Sequence, residues 1–280
     1  MRRRLAHALV VATAAVAATI ALPGVAQASI PGAGAPPSSM ASLGDSITRA
    51  FDACGFYVDC TNESWSTGGD SAINSHYRRI LAVNPAISGH NLNDAKSGAK
   101  AVDLAGQAQA AAGQHVQYVT IEMGANDACT SSETSMTPVT TYRSQVDAAL
   151  TALKSGVPDA KVFIASVPDI KRLWAIDRYN FSALFVWASA GVCQSMLANA
   201  TSNSTTDTAR RDRVRQRVVD FNTQLAQACT AYGANCRFDG NAVFNYPFVA
   251  SQISAWDYFH PNKAGQTVLS SVTYAAGYAW

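Results

Sequence analysis

The sequence predicts an α/β fold, a three-layer sandwich in which a central parallel sheet is flanked by helices on both faces. Short β-type runs recur between longer stretches with helical spacing, and that alternation implies parallel strands covered on each side. Length agrees: of 280 residues, about 252 remain once a leader is set aside, enough for one α/β domain without a second core.

The leader comes first. Met1-Arg2-Arg3-Arg4 precedes an alanine-rich apolar run from Leu5 to about Leu22, and Pro23-Gly24 leads into Ala26-Gln27-Ala28. A basic start, a short apolar core and a small-x-small exit describe a signal peptide over residues 1–28, so the chain is expected to be secreted. A retained membrane anchor would need roughly 20 apolar residues and no such exit. Removal takes away three arginines and no acid, which moves the formal charge from +2 to −1. The apparent basicity therefore belongs to the leader, and no nucleic-acid partner is expected.

Residues 29–38, rich in Gly, Pro and Ser, read as a flexible tail, and a single domain is expected over 39–280. Its strands are predicted at Met40 to Leu43, Val116 to Met123 and Lys161 to Val167, with weaker ones at Gly89 to Asp94 and Asn235 to Asp239. Pro138 to Lys154 carries apolar residues at helical spacing and stops at Gly156-Val157-Pro158. Arg210 to Tyr232 and Pro261 to about Tyr278 are the other long helices. No internal repeat interrupts this order.

All six cysteines lie beyond the leader, in a part of the chain bound for an oxidising compartment. Short separations favour Cys54 with Cys60 and Cys229 with Cys236, leaving Cys129 for Cys193. No Cys-x-x-Cys occurs, so neither a zinc site nor a redox pair is expected.

In a parallel sheet the loops at the carboxyl ends of the strands converge on one edge, where distant residues meet. Ser46 lies in such a loop, in Gly44-Asp45-Ser46-Ile47-Thr48 directly after the first strand. At the start of a helix there, its hydroxyl is exposed and its amide points at the same spot, which suits a nucleophile with an oxyanion donor. A helix-capping serine is the competing reading. A nucleophilic serine needs a base, and the mature chain offers His76, His90, His115 and His260. Only His260 has an acid in a suggestive place, since Asp257-Tyr258-Phe259-His260 sets a carboxylate three residues before it to fix the tautomer. Pro261-Asn262 then opens the last helix, which holds that histidine rigidly. Gly124-Ala125-Asn126-Asp127 follows the apolar strand ending at Met123, and the Asn126 amide can donate to a developing oxyanion. Gly98 can add a backbone N–H from a neighbouring loop. Each of these two also reads as an ordinary turn residue.

The order Ser46, Gly98, Asn126, Asp257-x-x-His260 resembles the sequence blocks of the SGNH hydrolases, also called the GDSL family, over nearly the whole mature chain. The resemblance implies an SGNH, flavodoxin-like sheet; Ser46, His260 and Asp257 as a catalytic triad; and Ser46, Gly98 and Asn126 as the oxyanion hole. It implies no cofactor and no metal. The first block usually has Leu or Tyr after the serine, where Ile47 stands here. Ser64 to Asp70, Ala95 to Leu104 and Val119 to Cys129 are similar to phospholipase B-like members, and six-cysteine secreted bacterial lipases and phospholipases look similar too. Gly69-Asp70 is then expected near the active site. The apolar residues from Leu173 to Trp187 offer an acyl groove or plain packing.

The expected protein is thus a secreted, monomeric ester hydrolase, a lipase or phospholipase in transient contact with a lipid surface. A carbohydrate O-acetyl esterase with the same triad and a non-catalytic secreted binding domain are the alternatives. The sequence has no Gly-x-Ser-x-Gly elbow, no His-Glu-x-x-His pair and no phosphate-binding glycine loop, so three other hydrolase chemistries lack their signature.

Overall fold

The computed structural model describes residues 34–280. The expected signal peptide, residues 1–28, and residues 29–33 of the expected tail lie outside them. From Gly34 to Ser39 the chain has no regular structure. The sheet follows, with strands β1 (Met40–Gly44), β2 (Asn91–Asn93), β3 (Tyr118–Glu122), β4 (Lys161–Ile164) and β5 (Cys236–Phe238) in the order β2-β1-β3-β4-β5. Every pairing is parallel, and the central register sets Met40 opposite Tyr118 and Gly44 opposite Glu122.

Burial explains which strands the sequence signals strongly. All five residues of β1 and of β3 are buried between two helical layers, and apolar side chains such as Met40, Leu43, Val119 and Ile121 dominate them. The edge strands β2 and β5 have three residues each, none of them buried, so their apolar signal is weak. The strand expected over Lys161 to Val167 ends at Ile164. Beyond it the Val167 peptide is gripped by a side chain: its N–H donates to Asn222 Oδ1 at 2.8 Å and its carbonyl accepts from Asn222 Nδ2 at 3.1 Å. These side-chain bonds satisfy the backbone without a neighbouring strand.

The longer helices are α1 (His76–Val83), α2 (Leu104–Gly113), α3 (Val139–Gly156), α4 (Ile170–Asp177), α5 (Phe181–Ser189), α6 (Thr205–Tyr232) and α7 (Lys263–Ala276). Helix α6 begins five residues before the predicted Arg210. Ser204 caps it, its hydroxyl accepting from the Asp207 N–H at 3.1 Å, and the first turn is too polar to show a helical stripe. Helices α2, α3 and α6 pack side by side over one face of the sheet; Tyr142 of α3 stacks on Phe221 of α6 with ring centroids 4.0 Å apart. On the other face His76 ties α1 to the sheet and to α7, with Nδ1 2.9 Å from Tyr118 Oη and Nε2 2.8 Å from Thr273 Oγ1. Burial lowers its pKa to about 3, so His76 is a neutral core residue.

The cysteines form three disulfides, Cys54–Cys60, Cys129–Cys193 and Cys229–Cys236. The second joins the loop after β3 to the segment after α5, across 64 residues of chain.

One position at the carboxyl edge of the sheet admits no side chain. Gly44 has φ +148°, and a Cβ there would stand 2.3 Å from the Glu122 carbonyl oxygen and 2.6 Å from Thr48 Oγ1. Gly44→Ala is therefore expected to cost at least about 2 kcal/mol, from backbone strain and overpacking together, measured by chemical denaturation. A loss below about 0.5 kcal/mol contradicts this account.

Candidate active site

The site is assembled at the carboxyl ends of β1 and β3 by four segments. The first is the turn after β1. Ser46 does not start a helix there: residues 46–52 form consecutive turns, with the Arg49 N–H on the Asp45 carbonyl at 3.1 Å and the Phe51 N–H on the Ser46 carbonyl at 3.0 Å. Ala50 and Asp52 take left-handed φ values of 51° and 61°, which end helical propagation. The N-cap reading of Ser46 therefore fails, and Asp45 does the local capping, its Oδ1 accepting from the Ile47 N–H at 2.9 Å.

The second segment brings His260 and Asp257. His260 Nε2 lies 2.7 Å from Ser46 Oγ, and His260 Nδ1 lies 2.5 Å from Asp257 Oδ2. Asp257 Oδ1 accepts the N–H groups of Phe259 and His260 at 2.9 and 3.0 Å. Burial works to raise the Asp257 pKa, but the hydrogen bond and charge of His260 and the two backbone donors outweigh it and hold the carboxyl below its ordinary value. Helix α7 follows directly, capped by Asn262, whose Oδ1 accepts from Gly265 N at 3.1 Å. From the same helix Gln266 reaches back, its Nε2 donating to the Ile47 carbonyl at 2.9 Å while its Oε1 accepts from the Trp65 N–H at 3.0 Å. The helix that anchors the His260 segment thus also grips the turn that presents the serine.

The third and fourth segments hold Gly98 and Asn126. Asn126 sits in the single helical turn Ala125–Ala128 and donates from Nδ2 to the Ala99 carbonyl at 2.9 Å. That bond ties it to the Gly98 loop, which is itself anchored by the Lys96 N–H on the Gly44 carbonyl at 3.1 Å. Asp127 completes the knot, accepting from the Ala101 N–H at 2.9 Å. Gly98 is exposed with φ +80°. Neither its N–H nor that of Ser46 has an acceptor among the described residues. Asn126 shares a cleft with Phe51, Tyr57, Asp257 and His260. The predicted site residues therefore share one edge of the sheet. Asp70 does not enter that cleft; its carboxylate pairs with Lys263 Nζ at 2.5 Å.

A second, apolar cavity opens beside the first. Ile47, Ala125, Phe259 and Pro261, neighbours in sequence of Ser46, Asn126 and His260, form one wall, and Leu173, Ile176, Phe248 and Ile253 line it further. Of the apolar run read from Leu173 to Trp187, the residues divide: Leu173 and Ile176 face this cavity, Trp187 is buried in the core, and Phe181 and Phe185 stand in solvent at 83% and 65% exposure. Phe248 and Ile253 had no motif around them to announce their place.

Three further groups lie behind the serine. Gln107 of α2 clamps the Gly44 peptide, accepting its N–H at 2.8 Å and donating to its carbonyl at 2.9 Å. Asp45 and Glu122, both fully enclosed, face each other with Asp45 Oδ2 and both Glu122 carboxyl oxygens lacking any other partner. Burial, then the charge of Asp45, pushes the Glu122 pKa well above its usual range, and burial raises Asp45 to about 6. The pair holds a proton between them at moderate pH.

A model of the GDSL-like Lipase/Acylhydrolase family matches residues 40–272. Among solved structures, the lipase Lip_vut3 from a goat rumen metagenome is 15% identical with a TM-score of 0.53, covering 86% of this chain and 98% of that one. A variant of Axe2, an acetyl-xylooligosaccharide esterase from Geobacillus stearmophilus, is 15% identical with a TM-score of 0.52, covering 86% and 95%. These likenesses are of fold. No curated protein matches the chain.

The buried carboxyl pair sets a pH dependence of stability. Glu122 binds its proton more tightly in the folded state, so the folded chain loses stability as pH rises above about 4.5, the unfolded value, towards the raised folded one. Glu122→Gln removes that loss, and its melting temperature relative to the parent is expected to rise steadily between pH 5 and pH 9. A difference independent of pH would remove the raised carboxyl from the account.

Proposed function

The chain belongs to the GDSL-like Lipase/Acylhydrolase family, and from that premise we propose that it is a secreted serine ester hydrolase that cleaves the acyl esters of lipids, as a lipase or a phospholipase of the A or B type. The observation that carries the reading is the continuous hydrogen-bonded path from Ser46 Oγ through His260 to Asp257, at 2.7 and 2.5 Å.

The reaction has two steps. Ser46 Oγ attacks the ester carbonyl while His260 Nε2 takes its proton, and the imidazolium is stabilised by Asp257, which stays ionised. The oxyanion is met by the N–H groups of Ser46 and Gly98 and by the Asn126 amide, each donor worth on the order of 10² to 10³ in turnover. His260 then returns the proton to the leaving alcohol. Water, deprotonated by the same imidazole, releases the acid and restores Ser46. Every proton shuttles through one nitrogen, so the path needs no cofactor.

The apolar cavity favours lipid acyl chains over acetyl groups, because burying each methylene of a bound chain gains about 0.8 kcal/mol. It is lined by Ile47, Ala125 and Phe259, which adjoin Ser46, Asn126 and His260 in the chain, and that proximity supports an acyl chain binding there. Exposed aromatic residues support transient contact with a lipid surface: Phe56 packs on Tyr57 and Trp256 with centroids 4.5 and 5.4 Å apart, and all three stand in solvent. Three disulfides accord with export, and among the described residues no helix is long and apolar enough to cross a membrane. The protein acts as a monomer on this reading.

Two measurements test it. Ser46→Ala is expected to abolish hydrolysis of aryl esters and covalent labelling by a fluorophosphonate; activity at the parent's rate in that variant ends the proposal. In the parent, kcat/KM is expected to climb from acetyl to medium-chain aryl esters, and fatty acid to be released from phosphatidylcholine or a triglyceride. A profile peaking at acetyl, with release from an acetylated sugar alone, replaces the lipid with a carbohydrate substrate.

A further inference from the structure

Asp52 is a buried acid that the two-step reaction leaves unused. It is only 2% exposed, and one of its carboxyl oxygens clusters with a carboxyl oxygen of Asp257 and a ring nitrogen of His260, all within 4.8 Å of one another. Oδ1 accepts the Tyr57 N–H at 2.5 Å, whereas Oδ2 is enclosed with no other partner. The backbone takes a left-handed φ of 61° at this residue. It is held there by its N–H on the Val58 carbonyl at 3.0 Å, by Ser254 Oγ on its own carbonyl at 3.4 Å, and by the Cys54–Cys60 loop closure. A strained conformation fixed from several sides places this carboxyl deliberately.

Two carboxylates this close in a buried place cannot both ionise cheaply, so one proton is shared between them. Asp257 is the better anion, because three N–H groups point at it. Asp52 has one such donor and is the one that keeps the proton. We propose, on the hydrolase reading above, that Asp52 is a positioning residue which acts through Asp257: protonated, it donates a hydrogen bond to Asp257, and ionised, it adds a second negative charge that strengthens His260 as a base.

Burial, and then the charge of Asp257, pushes the Asp52 pKa up to about 6. The charged groups facing it are Asp257 and His260, while Tyr57 contributes its backbone N–H; on the far side of the imidazole stands Asp45. Above about pH 6 the ionised Asp52 sets a second negative charge within 4.8 Å of the imidazole, which favours positive charge on the ring by Coulomb attraction. The acid limb of kcat/KM, which reports the neutral base, is thereby moved upward.

The experiment compares pH profiles of aryl ester hydrolysis for the parent, Asp52→Asn, Asp52→Leu and Ser46→Ala. Asn cannot ionise but keeps a donor for Asp257, whereas Leu removes both. Both variants are expected to shift the acid limb to lower pH by at least about half a unit, the effect of one charge at roughly 5 Å in water. Asn is expected to retain a plateau kcat about tenfold above that of Leu. An unshifted limb in Asp52→Asn, or equal plateaus in the two variants, overturns the proposal. Where Asp52→Leu fails to fold by thermal melt, the limb of Asp52→Asn decides alone. Activity remaining in Ser46→Ala would instead show that the hydrolase reading has failed.

Discussion

The close approach of Gly44 to β3 is the constraint on which the rest depends. With 2.3 Å between the Glu122 carbonyl and the place a Cβ would occupy, the last residue of β1 can have no side chain. Its peptide is held instead: Gln107 pairs with both its N–H and its carbonyl, and the Lys96 N–H shares that carbonyl. These bonds fix the departure of the chain from the sheet, and therefore the point in space at which Ser46 stands. They also draw the Gly98 loop to the same carbonyl. Ser46 and the loop that carries Gly98 are thus positioned from one peptide group, which leaves little freedom between them.

The imidazole is positioned by an independent route. His260 enters from the far end of the chain, yet its distance to Ser46 does not depend on a loop closing correctly, because Gln266, six residues further on, binds the Ile47 carbonyl. Helix α7 therefore carries two tethers, one chemical and one structural, to adjacent residues. Asp257 fixes the segment up to His260 by accepting two of its N–H groups, and Asn262 caps the helix that follows. A Ser–His hydrogen bond between side chains 214 residues apart is expensive in chain entropy, and here that cost is met by the packing of the whole helix.

How much of this the sequence discloses depends on locality. Asp257-x-x-His260 is visible because acid and imidazole are close in sequence, and Gly44-Asp45-Ser46 because it follows a buried apolar run. The sheet is legible where strands are buried on both faces, as at β1 and β3, and poorly so at β2 and β5, which hold no fully buried residue. The early start of α6 escapes detection because its first turn, Thr205 to Ala209, is capped by a polar bond and not marked by an apolar stripe. The turn after Ser46 reads as a helix start only until Ala50 and Asp52 are seen to have positive φ, which no propensity for either residue announces. Gln107, Asn222, Phe248 and Asp52 act through tertiary contacts with residues far away in sequence, so nothing local distinguishes them from their neighbours.

The buried acids share one physical logic with different outcomes. Asp257, Asp52, Asp45 and Glu122 all meet a desolvation cost that favours the neutral form. Only Asp257 gathers enough N–H donors to stay anionic, and it is the one in contact with the imidazole. Glu122, with no donor on either oxygen beyond what Asp45 can share, is driven furthest towards neutrality. Asp45 and Asp52 each accept one backbone N–H and lie between these extremes, both near 6. Donor count, more than burial, thus sorts which carboxyl holds the charge. The carboxyl that keeps its charge is thus the one that touches the imidazole, at 2.5 Å, while Glu122, the one driven furthest to neutrality, has no hydrogen bond to the ring.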